Sequence, residues 1–481
     1  MRHRQFNLFL LLTLGVLCAF AGVFSAGAQQ KPADKTAPVK SDKAKNEKEN
    51  EPVAITPKIT EEKAPEAKPL TTEDFGNFRF PVINGKGDVA FLALFLDPKG
   101  PNNGGQSIFV RQSDGNWKVT REGEKAANLP EGVYGFSLPS LNDNGDLTFF
   151  ASYGSSVSKP MAGAGGDPND PVSAAAAQHR TGSLYVKTAQ GLKSLVKLGD
   201  EVPLMPSHFS GFSNPSTNSK GVTAFIGTYS DPDGRGLFMI EDGKMRLIIR
   251  SGQKVGLPGF APDDAYSEHY YPSKINERNE VAFMERIGDR SGIFVSRPSL
   301  EKLVELVAIT GKPAPVKDSN YLGFGNRTPS LSNAGEVAFV GFFDGASAGR
   351  GLFLKGVTGP VKLIARDGDK AGSAGGQFRD FLSPAINSRG EIAFIGKMEG
   401  RNQGLFIKTA KGIEAIAMVD QQIPGGKGPL EVFNNFTQPA INDKGEVVFY
   451  GQIKNAEVAI FHRDEKGVLR TLARRGDKMP K

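Results

Sequence analysis

The chain is predicted to be all-β, a seven-bladed β-propeller of four-stranded antiparallel blades. Three observations predict it: one short pattern occurs seven times, its copies are almost evenly spaced, and four short apolar segments recur between copies.

The last copy, PAINDKGEVVFY, runs from Pro439 to Tyr450, and the others begin at Pro81, Pro139, Pro215, Ser273, Pro329 and Pro384. Five copies carry an Asn, a Gly three residues on and a Phe four beyond that: Asn84/Gly87/Phe91, Asn142/Gly145/Phe149, Asn218/Gly221/Phe225, Asn387/Gly390/Phe394 and Asn442/Gly445/Phe449. Two depart by one residue, Asn276/Asn279/Phe283 and Ser332/Gly335/Phe339. Both exchanges preserve the turn chemistry, because Asn tolerates positive φ and a Ser hydroxyl accepts a turn-closing hydrogen bond.

The anchors at 84, 142, 218, 276, 332, 387 and 442 lie 58, 76, 58, 56, 55 and 55 residues apart, a nearly constant step broken once. Segment a of each step is aromatic and ends at the Asn, and segment b follows the Gly. Segment c begins Gly-apolar-aromatic, as at Gly236, Gly351 and Gly404, and segment d runs into a Gly-acid pair, as at Gly368-Asp369 and Gly476-Asp477. All four are too short for helices, rich in Val, Ile and Phe, and bounded by Gly, Asn and Asp, so they read as strands. Asn-x-x-Gly suits a type I turn closing on a left-handed residue, and tight c–d turns follow at Asp114-Gly115, Asp242-Gly243, Thr358-Gly359 and Lys466-Gly467. The alternative, a β-solenoid, is built of shorter, parallel coils.

The first ordered segment, from Phe75, is a complete a and the last, from Leu469, a complete d, so a ring uses every segment. Strand a is either innermost, with each blade one contiguous piece, or outermost, with the amino-terminal strand completing the last blade. In a meander the a–b and c–d turns share one rim, and the b–c and d–a loops share the other. Every length change falls on the second rim, including the insertion at about 151–181. Loops free to vary between copies of a module are where binding sites gather, so the functional surface is expected on the b–c/d–a rim.

The ends supply a location. Arg2 and Arg4 precede an apolar run and Ala26-Gly27-Ala28, which reads as a signal peptide over 1–28. Cleavage there would remove Cys18, the only cysteine, leaving no disulfide. Residues 29–72 alternate Lys, Glu, Ala and Pro with almost no aromatics, as a charged disordered linker does. The propeller is expected over 73–481. The expected location is exported: periplasmic, cell-surface or secreted, with membrane attachment only if the signal segment stays uncleaved. A net charge of +7 over this length is too diffuse for a nucleic-acid partner, and none is expected.

Candidate chemistry is sparse. Arg235, Arg290, Arg350 and Arg401 recur on the variable rim just before segment c, with Asp231, Asp233, Asp289, Asp344 and Glu399 ahead of them. They are either guanidinium forks for an anionic glycan, carboxylate or phosphate, or local ion pairs. A second basic series, Arg121, Lys197, Arg250, Arg366 and Arg474, usually has an acid just past the Gly that ends segment d, and reads as a module-level pairing. Asp231-Pro232-Asp233-Gly234 partly resembles a calcium loop but lacks its third acid and distal Glu. No cofactor is expected, calcium at that loop being the one candidate. The histidines show no mutual metal-ligand spacing, and no nucleophile elbow or phosphate-binding loop occurs. No catalytic residue is expected.

The Asn-x-x-Gly-x-x-x-Phe signature, with its trailing Gly-Leu-Phe and Gly-Asp elements, resembles the bacterial exported proteins described as choice-of-anchor tandem repeat NxxGxxxF-containing proteins, over nearly all of 75–481. The resemblance implies an exported β-rich array with no assigned activity. Many such proteins end in a sorting tail, and this chain ends in Gly476-Asp477-Lys478-Met479-Pro480-Lys481. The leading expectation is an exported binding or scaffold propeller that presents its loop-rich rim to a glycan, peptide or protein of the envelope. The alternative is an extracellular hydrolase or lyase with a site at the channel mouth.

Overall fold

The computed structural model describes residues 74–95, 105–129, 131–154, 181–230, 233–269, 272–298, 303–325, 328–346, 348–401, 403–429 and 431–480. The signal segment, the linker, most of the insertion and the candidate calcium residues Asp231 and Pro232 lie outside them.

Seven antiparallel sheets follow one another along the chain as blades 1 to 7, spanning 75–121, 133–197, 208–250, 266–309, 321–366, 378–418 and 433–474. Each is a meander ordered a-b-c-d, and two short 3₁₀ turns, Gly372–Ala374 and Glu399–Arg401, are the only helical elements among the described residues. Blade 6 is representative, with a at Phe378–Ile386, b at Ile392–Met398, c at Gln403–Thr409 and d at Gly412–Met418. In blades 1, 2, 5 and 7 strand a is split near its Pro, as at Phe75–Phe78 and Val82–Ile83. Blades 3 and 6 keep the strand but shift register there, with Asn214 and Ser383 at φ 49° and 50°. Proline has no N–H for a ladder and is tolerated on an edge strand.

That edge faces the axis. Asn84 Nδ2 donates to Asn142 O, Asn142 to Asn218 O, Asn218 to Asn276 O, Asn276 to Ser332 O, Asn387 to Asn442 O and Asn442 back to Asn84 O, each at 3.0 Å. Only the innermost strands of successive blades approach so closely all the way round. Strand a is therefore innermost, each blade is contiguous, and the wheel is closed. The amide is saturated at every copy that carries one. In blade 6, Asn387 Oδ1 accepts Arg389 N–H and Glu391 N–H at 3.0 Å, and Nδ2 also donates to Glu391 Oε2 at 2.7 Å. The same four-bond use of a buried amide recurs at Asn84 and Asn442.

The repeat Gly closes each turn, as in Gly390 N–H to Asn387 O at 3.1 Å, with φ between 70° and 93° across the six glycines. Its missing side chain also leaves room for the neighbouring blade. A Cβ at Gly87 would stand 2.8 Å from Glu446 Oε2, and one at Gly445 3.0 Å from Glu391 Oε2. Blade 3 has Val222 where the other blades have an acid after the Gly, and the next blade is the one with Asn279 in place of Gly. Asn279 adopts φ 61°, and its Oδ1 accepts Asn218 Nδ2 at 2.7 Å, replacing the absent carboxylate. Ser332 Oγ accepts Glu336 N–H at 3.1 Å, so its turn closes, but it has no amide to offer Asn387 O. The ring lacks that one link.

Each blade's core is a cross-strand aromatic stack between b and c. Phe225 and Phe238 lie 5.6 Å apart at 18°, Phe394 and Phe406 5.7 Å at 19°, and the other five blades repeat the pair. The first aromatic of strand a stands edge-on to the c ring, as Phe378 does to Phe406 at 5.0 Å. The Gly that opens segment c lies under this ring, and a Cβ at Gly236 would meet Phe238 Cε2 at 2.7 Å.

Three outcomes follow in thermal or denaturant melts. Asn387→Ala leaves the N–H groups of Arg389 and Glu391 unpaired and takes one bond each from Glu391 and Asn442 O, and is expected to cost about 2–4 kcal/mol. Ser332→Asn supplies the missing link and should gain roughly 0.5–1.5 kcal/mol. Phe394→Ala, at 0% exposure, should cost about 3–5 kcal/mol.

Candidate functional site

The two rims now have distinct characters. The a–b rim carries the Asn ring and, just outside it, Asp88, Asp146, Glu280, Glu336, Glu391 and Glu446, all but Glu336 held by their own blade's Asn amide. The opposite rim carries the irregular loops and the arginine series.

Of that series, Arg290 and Arg350 are built alike on adjacent blades. Arg290 opens strand c of blade 4 after a two-residue turn, its Nη2 2.6 Å from Asp264 Oδ2 and its guanidinium 5.1 Å over the Phe260 ring. Arg350 in blade 5 has Nη1 2.6 Å from Asp380 Oδ2 and lies 5.3 Å over the Phe342 ring. Their side chains are 34% and 47% exposed, so each presents a flat charged face to solvent. Lys397 Nζ, at 3.6 Å, shares Asp380. Arg235 pairs with Thr228 across the hairpin and donates its backbone N–H to Ser251 Oγ, and its side chain forms no ion pair among the described residues. Of Arg401 only the backbone is described, closing the turn Glu399–Arg401.

The pairing acids are not those that precede the arginines in sequence. Asp289 lies in the turn before strand c, and the partner of Arg290 is Asp264 of the d–a loop instead. Asp344 Oδ1 accepts Asn320 N–H at 2.6 Å and Glu399 pairs with Arg379 at 2.9 Å. The second basic series is corrected in the same way. The acid past the Gly receives the backbone N–H of the basic residue, as Asp200 does from Lys197 at 2.8 Å, Asp369 from Arg366 at 2.9 Å and Asp477 from Arg474 at 2.7 Å. It closes the turn out of strand d, and the cationic ends are free for other partners: Arg474 joins Glu457 and Glu431.

The central channel holds a residue that spacing rules passed over. Two positions before the anchors stand Val82, Ser140, Ser216, Lys274, Ser330, Ala385 and Ala440. Ser216 Oγ and Ser330 Oγ accept N–H groups of the next blade's inner edge, from Ile275 at 2.9 Å and Ile386 at 3.0 Å. Lys274 is the one ionisable side chain of this tier. Its side chain is solvent-exposed, but protein crowds round it across the channel, and that partial loss of hydration draws its ammonium down to about 8, with Asp143 of blade 2 opposing the shift. Comparing the seven copies column by column would have exposed it. Burial also lowers the pKa of His462, against the pull of Glu446 at 3.7 Å. No group of three or more His, Asp or Glu among the described residues is arranged to hold a metal.

A closed wheel of seven four-stranded sheets around a channel defines the chain as a seven-bladed β-propeller. The model of a family of unknown function, DUF7453, matches residues 58–286, 235–412 and 396–480, and the chain belongs to that family. No curated protein sequence matches it. Among solved structures it is similar to the β-propeller domain of the Trilobed protease from Pyrococcus furiosus, at 11% identity over 85% of this chain and 100% of that one, with a TM-score of 0.47. The periplasmic gluconolactonase of Pseudomonas aeruginosa (12% identity, 83% and 96% covered, TM-score 0.38) and Aleuria aurantia lectin in complex with α-methyl-L-fucoside (11%, 72% and 97%, TM-score 0.30) are also similar. Likeness at this level assigns no activity.

Lys274 yields a pH signature. Its folded pKa lies below the ordinary 10.5, so below about 8 the folded state holds a charge it disfavours, and the unfolded chain binds more protons from there up to 10.5. Lys274→Met should therefore be more stable than wild type near pH 7, and the difference should shrink as pH rises through that window. Melting curves of both proteins from pH 7 to 11 check it.

Proposed function

We propose that this protein is an exported binding or scaffold propeller whose b–c/d–a rim receives a glycan, peptide or protein of the envelope. The observation that carries the reading is the recurrence of a guanidinium–phenyl stack on the same rim in two blades, Arg290 on Phe260 in blade 4 and Arg350 on Phe342 in blade 5. A guanidinium laid flat on a ring and held by a carboxylate is pre-organised, so little rotamer freedom is lost when a polar polymer lands on it. Export rests on the sequence reading of 1–28 as a signal peptide and 29–72 as a tether. The similarity to NxxGxxxF repeat proteins supports the same location.

One observation favours the second reading, a hydrolase or lyase at the channel mouth. Lys274 is an amine brought toward neutrality in a solvent-reached channel, which is what a general base requires. A Lys274→Met protein that cleaves polymers as well as wild type would remove this reading.

The binding reading is tested by screening full-length protein on envelope glycans and peptides, then measuring the best ligand with the Arg290→Ala/Arg350→Ala double variant. Affinity should fall at least about tenfold while the melting temperature changes little. Unaltered affinity would place binding elsewhere.

A further inference from the structure

The strand ends at the b–c rim are not alike round the wheel. The sixth residue of strand b, just before the b–c loop, is Arg286 in blade 4, Phe342 in blade 5 and Lys397 in blade 6. The other blades have Leu94, Ser152, Thr228 and Gln452 there, with no charge among them. Three adjacent blades therefore set a cation on either side of one aromatic ring, at equivalent places in the repeat, and the rest of the circle is neutral.

Both cations are accessible and under-neutralised. Arg286 is exposed, its Nε gives one bond to Gly288 O at 3.0 Å, and it forms no ion pair among the described residues. Lys397 is 49% exposed and lies 3.6 Å from Asp380 Oδ2, which already holds Arg350 Nη1 at 2.6 Å. One carboxylate thus answers two cations, and Arg350 brings its own charge beside Phe342. An exposed positive arc of this kind is complementary to an acidic partner.

Between the cations the surface turns apolar. In blades 1, 3, 5, 6 and 7 strand a bulges opposite this position, and the inserted residue is Gly76, Ser210, Leu322, Arg379 or Asn434. Leu322 is the one large aliphatic side chain among these, and it is 59% exposed. A bulge re-aims a side chain, and here it turns a leucine to solvent. The next residue is Gly323, where blades 1, 6 and 7 carry Asn77, Asp380 and Asn435. A Cβ there would meet Phe342 Cδ2 at 3.8 Å and nothing nearer, so Gly323 leaves that edge of the ring uncovered. Blade 5 alone puts large apolar groups at both places.

Resting on the reading of this rim as a binding surface, we infer that blades 4 to 6 receive an extended acidic peptide, with one apolar side chain on Leu322 and Phe342 and a carboxylate to each side, at Arg286 and at Lys397. The fold sets the spacing. Packed sheets stand about 10 Å apart and an extended chain advances about 3.3 Å per residue, so three residues carry it from one blade to the next. The matching pattern is acid-x-x-apolar-x-x-acid. An exposed leucine suits an aliphatic side chain better than a sugar ring, which needs an open aromatic face, and one face of Phe342 is taken by Arg350.

The test is fluorescence anisotropy of full-length protein with the labelled peptide Gly-Glu-Ser-Gly-Leu-Ser-Gly-Glu-Gly. Saturable binding that weakens with salt is expected, and a peptide with its two acids made adjacent, or with Gln in place of both, should bind about tenfold more weakly. Leu322→Ser copies Ser210 of blade 3, and in the Arg286→Gln/Lys397→Gln double variant both places take the Gln452 of blade 7, so melting temperatures should hold while each loses about tenfold in affinity. Absence of saturable peptide binding, or an affinity that Leu322→Ser leaves unchanged, would overturn the inference. Polygalacturonate that binds regardless of Leu322→Ser but is lost with Arg290→Ala/Arg350→Ala would overturn it too, while leaving the rim as the binding surface.

Discussion

The rest of the structure depends on one amide. The repeat Asn spends its oxygen on two backbone N–H groups of its own turn and its nitrogen on its own carboxylate and the next blade's carbonyl. Because that last bond has the same length wherever it forms, it fixes how near neighbouring inner strands stand, and a wheel closes only if those spacings agree. Asp in this place would set a carboxylate against a carbonyl, and Ser keeps only the turn. The two departures follow from this. Asn279 is admitted where blade 3 has no acid to accommodate, and Ser332 leaves a gap that six other links tolerate.

Concentrating the constraint at one rim frees the other. The a–b turns share one length and one conformation, held by a buried polar network in which each member is satisfied by its neighbours. Strand ends on the far side answer to no such network. Loop length, arginine placement and acid partners there differ from blade to blade, and Arg290 and Arg350 draw their carboxylates from different elements. The asymmetry is thus a consequence of where the ring's hydrogen bonds lie.

This division also explains what could be read from the chain. The blade count, the strand order, the left-handed turn residues and the recurring aromatics of strands b and c were legible because each is a local pattern repeated seven times; that those aromatics stack on one another was not. Strand a as the inner strand was not, since both placements use the same segments, and only Asn442 bonding to Asn84 decides. The partners of Arg290 and Arg350 were hidden because they come from elsewhere in the chain, Asp264 from the loop into blade 4 and Asp380 from strand a of blade 6. Asp200, Asp369 and Asp477 look like ion-pair partners in sequence, whereas in the fold they cap a turn. Lys274 stands out only against the residues at equivalent places in other blades, as a departure from the repeat.

The joint between blades 7 and 1 has the bonds of the other six: Gly476 N–H on Phe75 O at 2.8 Å and Phe75 N–H on Asp477 O at 3.0 Å, against 2.9 Å for both Gly368 N–H on Phe378 O and Phe378 N–H on Asp369 O. Lys478 and Asp74 add an ion pair at 2.8 Å. The seam is held without a covalent link, by contacts the interior joints also make. A circularly permuted gene that fused residues 480 and 74 and started the chain at another loop would thus encode the same wheel. Which blade is translated first is incidental to the architecture.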